Sequence, residues 1–130
     1  MVNKKFPSDY PTHIQVPSEK AAPINIELYR MVGNNPPLRD DFVPSNKDPL
    51  QSHMIKQSKF RDSAGYYGTS FSLDKSKLVS VIKGNPNKFG SKKVAKGAIT
   101  RDMGVGEKDS KTHVTVWFYQ NVFPDGFEVL

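Results

Sequence analysis

Cysteine is absent from this 130-residue chain, which removes disulfide staples, thiolate metal sites and cysteine nucleophiles together. Long apolar runs are missing as well, so no stretch has the length of a membrane-crossing helix and no membrane partner is expected. The basic start of the chain is not followed by an apolar core, and a conventional signal peptide is not expected. The histidines, His13, His53 and His113, stand too far apart for local metal-ligand spacing, so no metal site is expected. Gly104-Val105-Gly106 lacks the third glycine of a dinucleotide fingerprint, and no phosphate-binding P-loop occurs. Ser72-Leu73-Asp74-Lys75 matches a serine-x-x-lysine pattern without that pattern's companion motifs. Acidic residues are also scarce, 13 against 19 lysines and arginines, and the resulting charge of +6 favours an anionic partner.

What is present points to one domain built largely of strands. Hydrophobic content is low at 36%, but aromatics at 11% supply enough large side chains for a compact β structure. Ten prolines and nine glycines favour many turns over long helices. Residues 1–22, punctuated by Pro7, Pro11 and Pro17, read as an extended arm, either disordered or wrapped over the domain of residues 23–130. Ile24, Ile26 and Leu28 alternate on one face of a strand, and Arg30 continues that face as a snorkelling edge residue or an anion ligand. Pro36-Pro37 opens a short helix to Phe42, and Gln51–Arg61 is weakly helical or a loop.

Gly65-Tyr66-Tyr67-Gly68-Thr69-Ser70-Phe71-Ser72-Leu73 reads as a glycine turn, then an aromatic strand ending in hydroxyls. Asp74 caps a helix over about 75–83, with Leu78, Val79 and Ile82 as its apolar face. Lys93–Arg101 predicts a strand, Gly104–Ser110 a flexible loop, and His113–Gln120 the strongest strand of the chain. Phe127–Leu130 predicts a last short strand.

Three of these segments, in this order, resemble the ADP-ribosyltransferase toxins of the cholera and pertussis type. Leu28-Tyr29-Arg30 is similar to the start of that family. Gly68-Thr69-Ser70-Phe71-Ser72 looks like its Ser-Thr-Ser strand, and Asp125-Gly126-Phe127-Glu128 looks like its Glu-x-Glu turn. Gly68 stands in place of the first serine and Gly126 in place of the first glutamate. The resemblance implies an α+β fold with a split, mostly antiparallel β core and short helices. It implies NAD as substrate, a macromolecular acceptor left open, and action as a small bacterial or phage toxin or effector. Such a protein acts in the cytoplasm or is delivered to a target cell without a conventional signal peptide, and implies an antitoxin or immunity partner. Under this resemblance Glu128 and Ser70 are catalytic, and Arg30, Tyr29, Thr69, Tyr67 and Phe71 bind NAD. A looser similarity to small antibacterial effectors of the same fold sends Thr112-His113-Val114-Thr115 to the cleft, with His113 on a ribose hydroxyl.

The chemistry suits these residue types. Cleaving the nicotinamide–ribose bond passes through an oxocarbenium-like state, which a carboxylate such as Glu128 stabilises. The planar fork of Arg30 grips phosphate, and an aromatic such as Tyr66, Tyr67 or Phe71 stacks on nicotinamide. The alternative is a non-enzymatic basic domain for nucleic acid or an acidic protein, in which Lys56, Lys59, Phe60, Arg61, Tyr66 and Tyr67 stack on and neutralise a single strand. A degenerate transferase fold used as a scaffold is a third reading.

Overall fold

The computed structural model describes residues 4–130 as an α+β domain around a seven-stranded sheet. In chain order the strands are β1 (Ala22–Pro23), β2 (Ile26–Val32), β3 (Thr69–Ser72), β4 (Lys93–Ile99), β5 (Gly104–Lys108), β6 (His113–Phe118) and β7 (Glu128–Val129). Their order across the sheet is β1-β5-β6-β3-β2-β4-β7, and every pairing is antiparallel. Helices are few and short: α1 (Ser58–Arg61), α2 (Lys75–Gly84), α3 (Pro86–Phe89) and several 3-10 turns. None of the described helices is long and apolar enough to cross a membrane.

Alternation explains the core. Leu28 and Val32 on β2, Phe71 on β3, Val114 and Val116 on β6 and Ile99 on β4 are buried together, with Phe42 and Phe127 closing over them. Each large side chain so buried contributes roughly 1.5–3 kcal/mol. Ile26, at the start of β2, stays exposed. Asp74 caps α2 as expected, its carboxylate accepting from Ser76 N at 2.9 Å.

Two segments differ from the sequence expectation. Residues 104–108, expected as a loop, form β5, because here glycine serves close approach. A Cβ on Gly104 would lie 2.1 Å from the Trp117 carbonyl oxygen, and one on Gly106 would lie 2.6 Å from Ile24 Cδ1. Tyr66 and Tyr67, expected in a strand, lie in a 3-10 turn over Ala64–Tyr67, and the strand starts only at Thr69. Both rings are buried, and their hydroxyls donate to backbone carbonyls: Tyr66 to Gln51 and Ser52, Tyr67 to Arg61.

Residues of the N-terminal arm pack on the segment after β6 and on the 3-10 turn that holds Lys47. Gln120 N donates to Lys5 O at 2.7 Å, Phe6 packs on Tyr119 with ring centres 5.0 Å apart, and Asp9 pairs with Lys47.

One irregularity of the sheet positions the site. β2 meets β4 over seven residue pairs and β3 meets β6 over four, but β2 and β3 share only the pair Tyr29↔Ser72. Away from that pair the two central strands diverge, and the sheet opens.

Candidate functional site

Arg30 fills the opening. Its Nε donates to Asp41 O at 2.6 Å and its Nη1 to Ser70 O at 2.7 Å, so the guanidinium ties β2 to the Asp41 turn and to β3. Burial pushes its pKa down to about 10 while the Asp48 and Asp41 charges oppose the shift, and the group stays cationic at neutral pH. The remaining N–H groups of the fork have no protein partner among the described residues.

Asp41 anchors the loop behind it, accepting from Gly33 N at 2.7 Å, Leu38 N at 2.8 Å and Asn34 Nδ2 at 3.1 Å. Burial alone would raise the Asp41 pKa. The bonds from Leu38, Gly33 and Asn34, with the charge of Lys92, outweigh burial and hold it below the ordinary aspartate range.

A hydrogen-bonded chain runs along the β3–β6 pair. Ser70 faces Thr115 across the ladder and Ser72 faces His113, so these side chains share one face. His113 Nε2 lies 3.0 Å from Ser70 Oγ, and His113 Nδ1 lies 2.5 Å from Asp109 Oδ1. Thr115 Oγ1 donates to the other Asp109 oxygen at 2.7 Å. The β5–β6 turn holds the geometry, with Asp109 N donating to His113 O and His113 N to Ser110 Oγ, both at 3.1 Å. In the tautomer that carries its proton on Nδ1, that nitrogen donates to Asp109 and Nε2 accepts from the Ser70 hydroxyl.

Arg30, Ser70 and His113, distant in sequence, border one cleft of about 860 Å³, whose walls also carry Lys47, Lys77, Lys88 and Lys92 alongside Asp40, Asp41 and Asp48. No protein-family model, curated protein or solved structure matches this chain.

Apart from Phe71, the other expected site residues lie elsewhere. Glu128 is exposed on β7, the outermost strand, opposite Lys96, and β4 separates it from β2. Thr69 is buried and donates to Phe42 O at 2.9 Å; as Ser70's neighbour on a strand it faces the other way. Tyr67 and Thr69 border a different cavity of about 370 Å³, beneath the N-terminal arm. Tyr29 faces α2 in a third cavity, with the Lys96 ammonium over its ring. Phe71 adjoins the cleft, but its ring is buried in the core, where it packs on Phe42, Phe118 and Phe127. Among the described residues, no group of three or more His, Asp or Glu side chains is clustered to hold a metal ion.

Asp109 was the residue missed, because it fell in the stretch expected to be a loop. The signal was available: Asp109, His113 and Thr115 lie either side of a turn leading into the strongest strand, and His113 and Thr115 alternate onto one face.

Proposed function

We propose that the cleft binds NAD and that the chain transfers ADP-ribose from it, with the site centred on Arg30, Ser70 and His113 and not on Glu128. The carrying observation is that these three residues border one cleft at the opening of the sheet. Its volume, about 860 Å³, lies within the roughly 300–1,000 Å³ typical of ligand sites.

In this reading the unsatisfied N–H groups of Arg30 hold a phosphate oxygen, and Lys77, Lys88 and Lys92 offset the remaining charge. Ser70 and His113 hold a ribose hydroxyl. When the bond from ribose C1′ to the nicotinamide nitrogen breaks, nicotinamide leaves neutral and positive charge develops on the ribose. An acceptor hydroxyl or amine, or water, then adds at C1′ and gives up its proton to His113 Nε2. Two hydrogen bonds to backbone carbonyls keep Arg30 rigid, so the phosphate grip is in place before the ligand arrives.

The basic-domain reading keeps the lysines as its support. Its aromatic platform is weakened because Tyr66 and Tyr67 are buried with their hydroxyls engaged.

Labelled NAD incubated with the protein and cell lysate tests the proposal. Nicotinamide release or label transfer is expected from the wild type and from Glu128→Ala, and its loss is expected in His113→Ala. Loss in Glu128→Ala with activity retained in His113→Ala would return the site to the last strand. Salt-sensitive binding to nucleic acid, with no NAD turnover, would favour the basic domain.

A further inference from the structure

We propose that Ser70 is an activated nucleophile, with His113 as its general base and Asp109 as the group that orients the base, competent to take an acyl group from small activated esters. The chemistry uses no nicotinamide and stands whether or not NAD binds. The three side chains form an unbroken hydrogen-bonded chain in the order hydroxyl, imidazole, carboxylate: Ser70 Oγ to His113 Nε2 at 3.0 Å, and His113 Nδ1 to Asp109 Oδ1 at 2.5 Å. Such a constellation is recognised by geometry and roles, not by fold or sequence order.

Support behind the relay is equally specific. The buried Thr115 donates to the second Asp109 oxygen at 2.7 Å, which keeps that carboxylate turned toward the imidazole. Ser70 is fixed from its other side, where its own carbonyl accepts from Arg30 Nη1 at 2.7 Å. Ser70 and His113 both line the cleft, and His113 keeps 41% of its side-chain surface exposed, so a small electrophile can reach the hydroxyl and its base from there. The cleft is lined by Arg30, Lys47, Lys77, Lys88 and Lys92 against Asp40, Asp41 and Asp48, and this excess of cations favours the negative charge that develops on an attacked carbonyl oxygen.

The reaction balances within this set. Ser70 Oγ forms a bond to the acyl carbon while its proton passes to His113 Nε2. The bond from that carbon to the leaving oxygen breaks, and the proton is delivered to the departing alcohol. Water then attacks the acyl-serine by the same route in reverse and releases the carboxylic acid.

A fluorophosphonate probe, on which Oγ displaces fluoride from phosphorus, reads the nucleophile directly by intact mass and peptide mapping. The wild type is expected to gain one adduct at Ser70, to gain none in Ser70→Ala, and to react on the order of 100-fold more slowly in His113→Gln and Asp109→Asn. Each variant is checked for folding by its thermal unfolding. p-Nitrophenyl acetate is expected to give a burst with the wild type that Ser70→Ala lacks. A folded wild type that takes no adduct would overturn the proposal. So would labelling at Ser70 that proceeds at the wild-type rate in His113→Gln, since the hydroxyl would then owe nothing to the relay.

Discussion

Gly68, immediately before β3, lies against the side chains of Thr115 and Trp117, and Gly68→Ser is expected to damage the protein. A Cβ built on Gly68 lies 2.5 Å from Thr115 Cγ2 and 3.1 Å from Trp117 Nε1. Neither neighbour yields cheaply. Thr115 is β-branched and 1% exposed, with its hydroxyl committed to Asp109. Trp117 is 1% exposed, and its Nε1 donates to Ala64 O at 3.0 Å. Overpacking of this kind costs about 1–3 kcal/mol, and a strained indole hydrogen bond adds about 1 kcal/mol. The sum of roughly 2–4 kcal/mol corresponds to a midpoint lower by about 6–20 °C for a domain of this size. The simplest variant is Gly68→Ala, followed through the fluorescence of Trp117, the chain's single tryptophan, in urea and on heating. Thr115→Ser deletes Cγ2 but keeps the hydroxyl on Asp109, so Gly68→Ala with Thr115→Ser is expected to recover at least ~1 kcal/mol relative to additivity. Wild-type stability in Gly68→Ala, or a strictly additive double variant, would refute the packing argument.

Other expectations follow from the same contacts. Asp41 has its folded-state pKa below its unfolded value, so its contribution to stability is complete above the unfolded pKa of about 4 and is lost as pH falls through the folded one. Asp41→Asn is therefore expected to be less stable than wild type at neutral pH and to show a flatter decline on acidification, read from urea midpoints; parallel pH profiles would contradict this. Phe6→Ala removes the ring that packs on Tyr119 and is expected to cost about 1–2 kcal/mol in urea unfolding; an unchanged midpoint would show that this ring adds nothing to stability. Gly97→Ala places a Cβ 2.4 Å from the Phe127 ring and is expected to lower stability by about 1–3 kcal/mol, with Phe127→Leu as the partial suppressor. Glu128→Ala, on an exposed edge position, is expected to stay within about 0.5 kcal/mol of wild type.

Strand periodicity and helix capping were readable because they are local: β2, α2, β4 and β6 lie close to where alternation and the Asp74 cap put them. β5 was not readable, since Gly104 and Gly106 look like loop residues until Trp117 and Ile24 press against them in three dimensions. The site divides along the same line. Arg30, Ser70 and His113 could be singled out by type and position on their strands. Strand geometry itself separates Thr69 from Ser70, because neighbours on a strand face opposite ways. The exile of Glu128 depends on the order β3-β2-β4-β7, a non-local fact that no short motif encodes.

The most direct measurement on the central claim is calorimetric titration of NAD into the wild type, Glu128→Ala and Arg30→Lys, each first shown to be folded by Trp117 fluorescence. Lysine keeps the charge of Arg30 but loses the fork that bonds Asp41 O and Ser70 O. Binding is expected for the wild type and equally for Glu128→Ala, with affinity at least about tenfold weaker in Arg30→Lys, a difference of ~1.4 kcal/mol. No binding by the folded wild type, or affinity lost with Glu128 and untouched by Arg30→Lys, would contradict that claim.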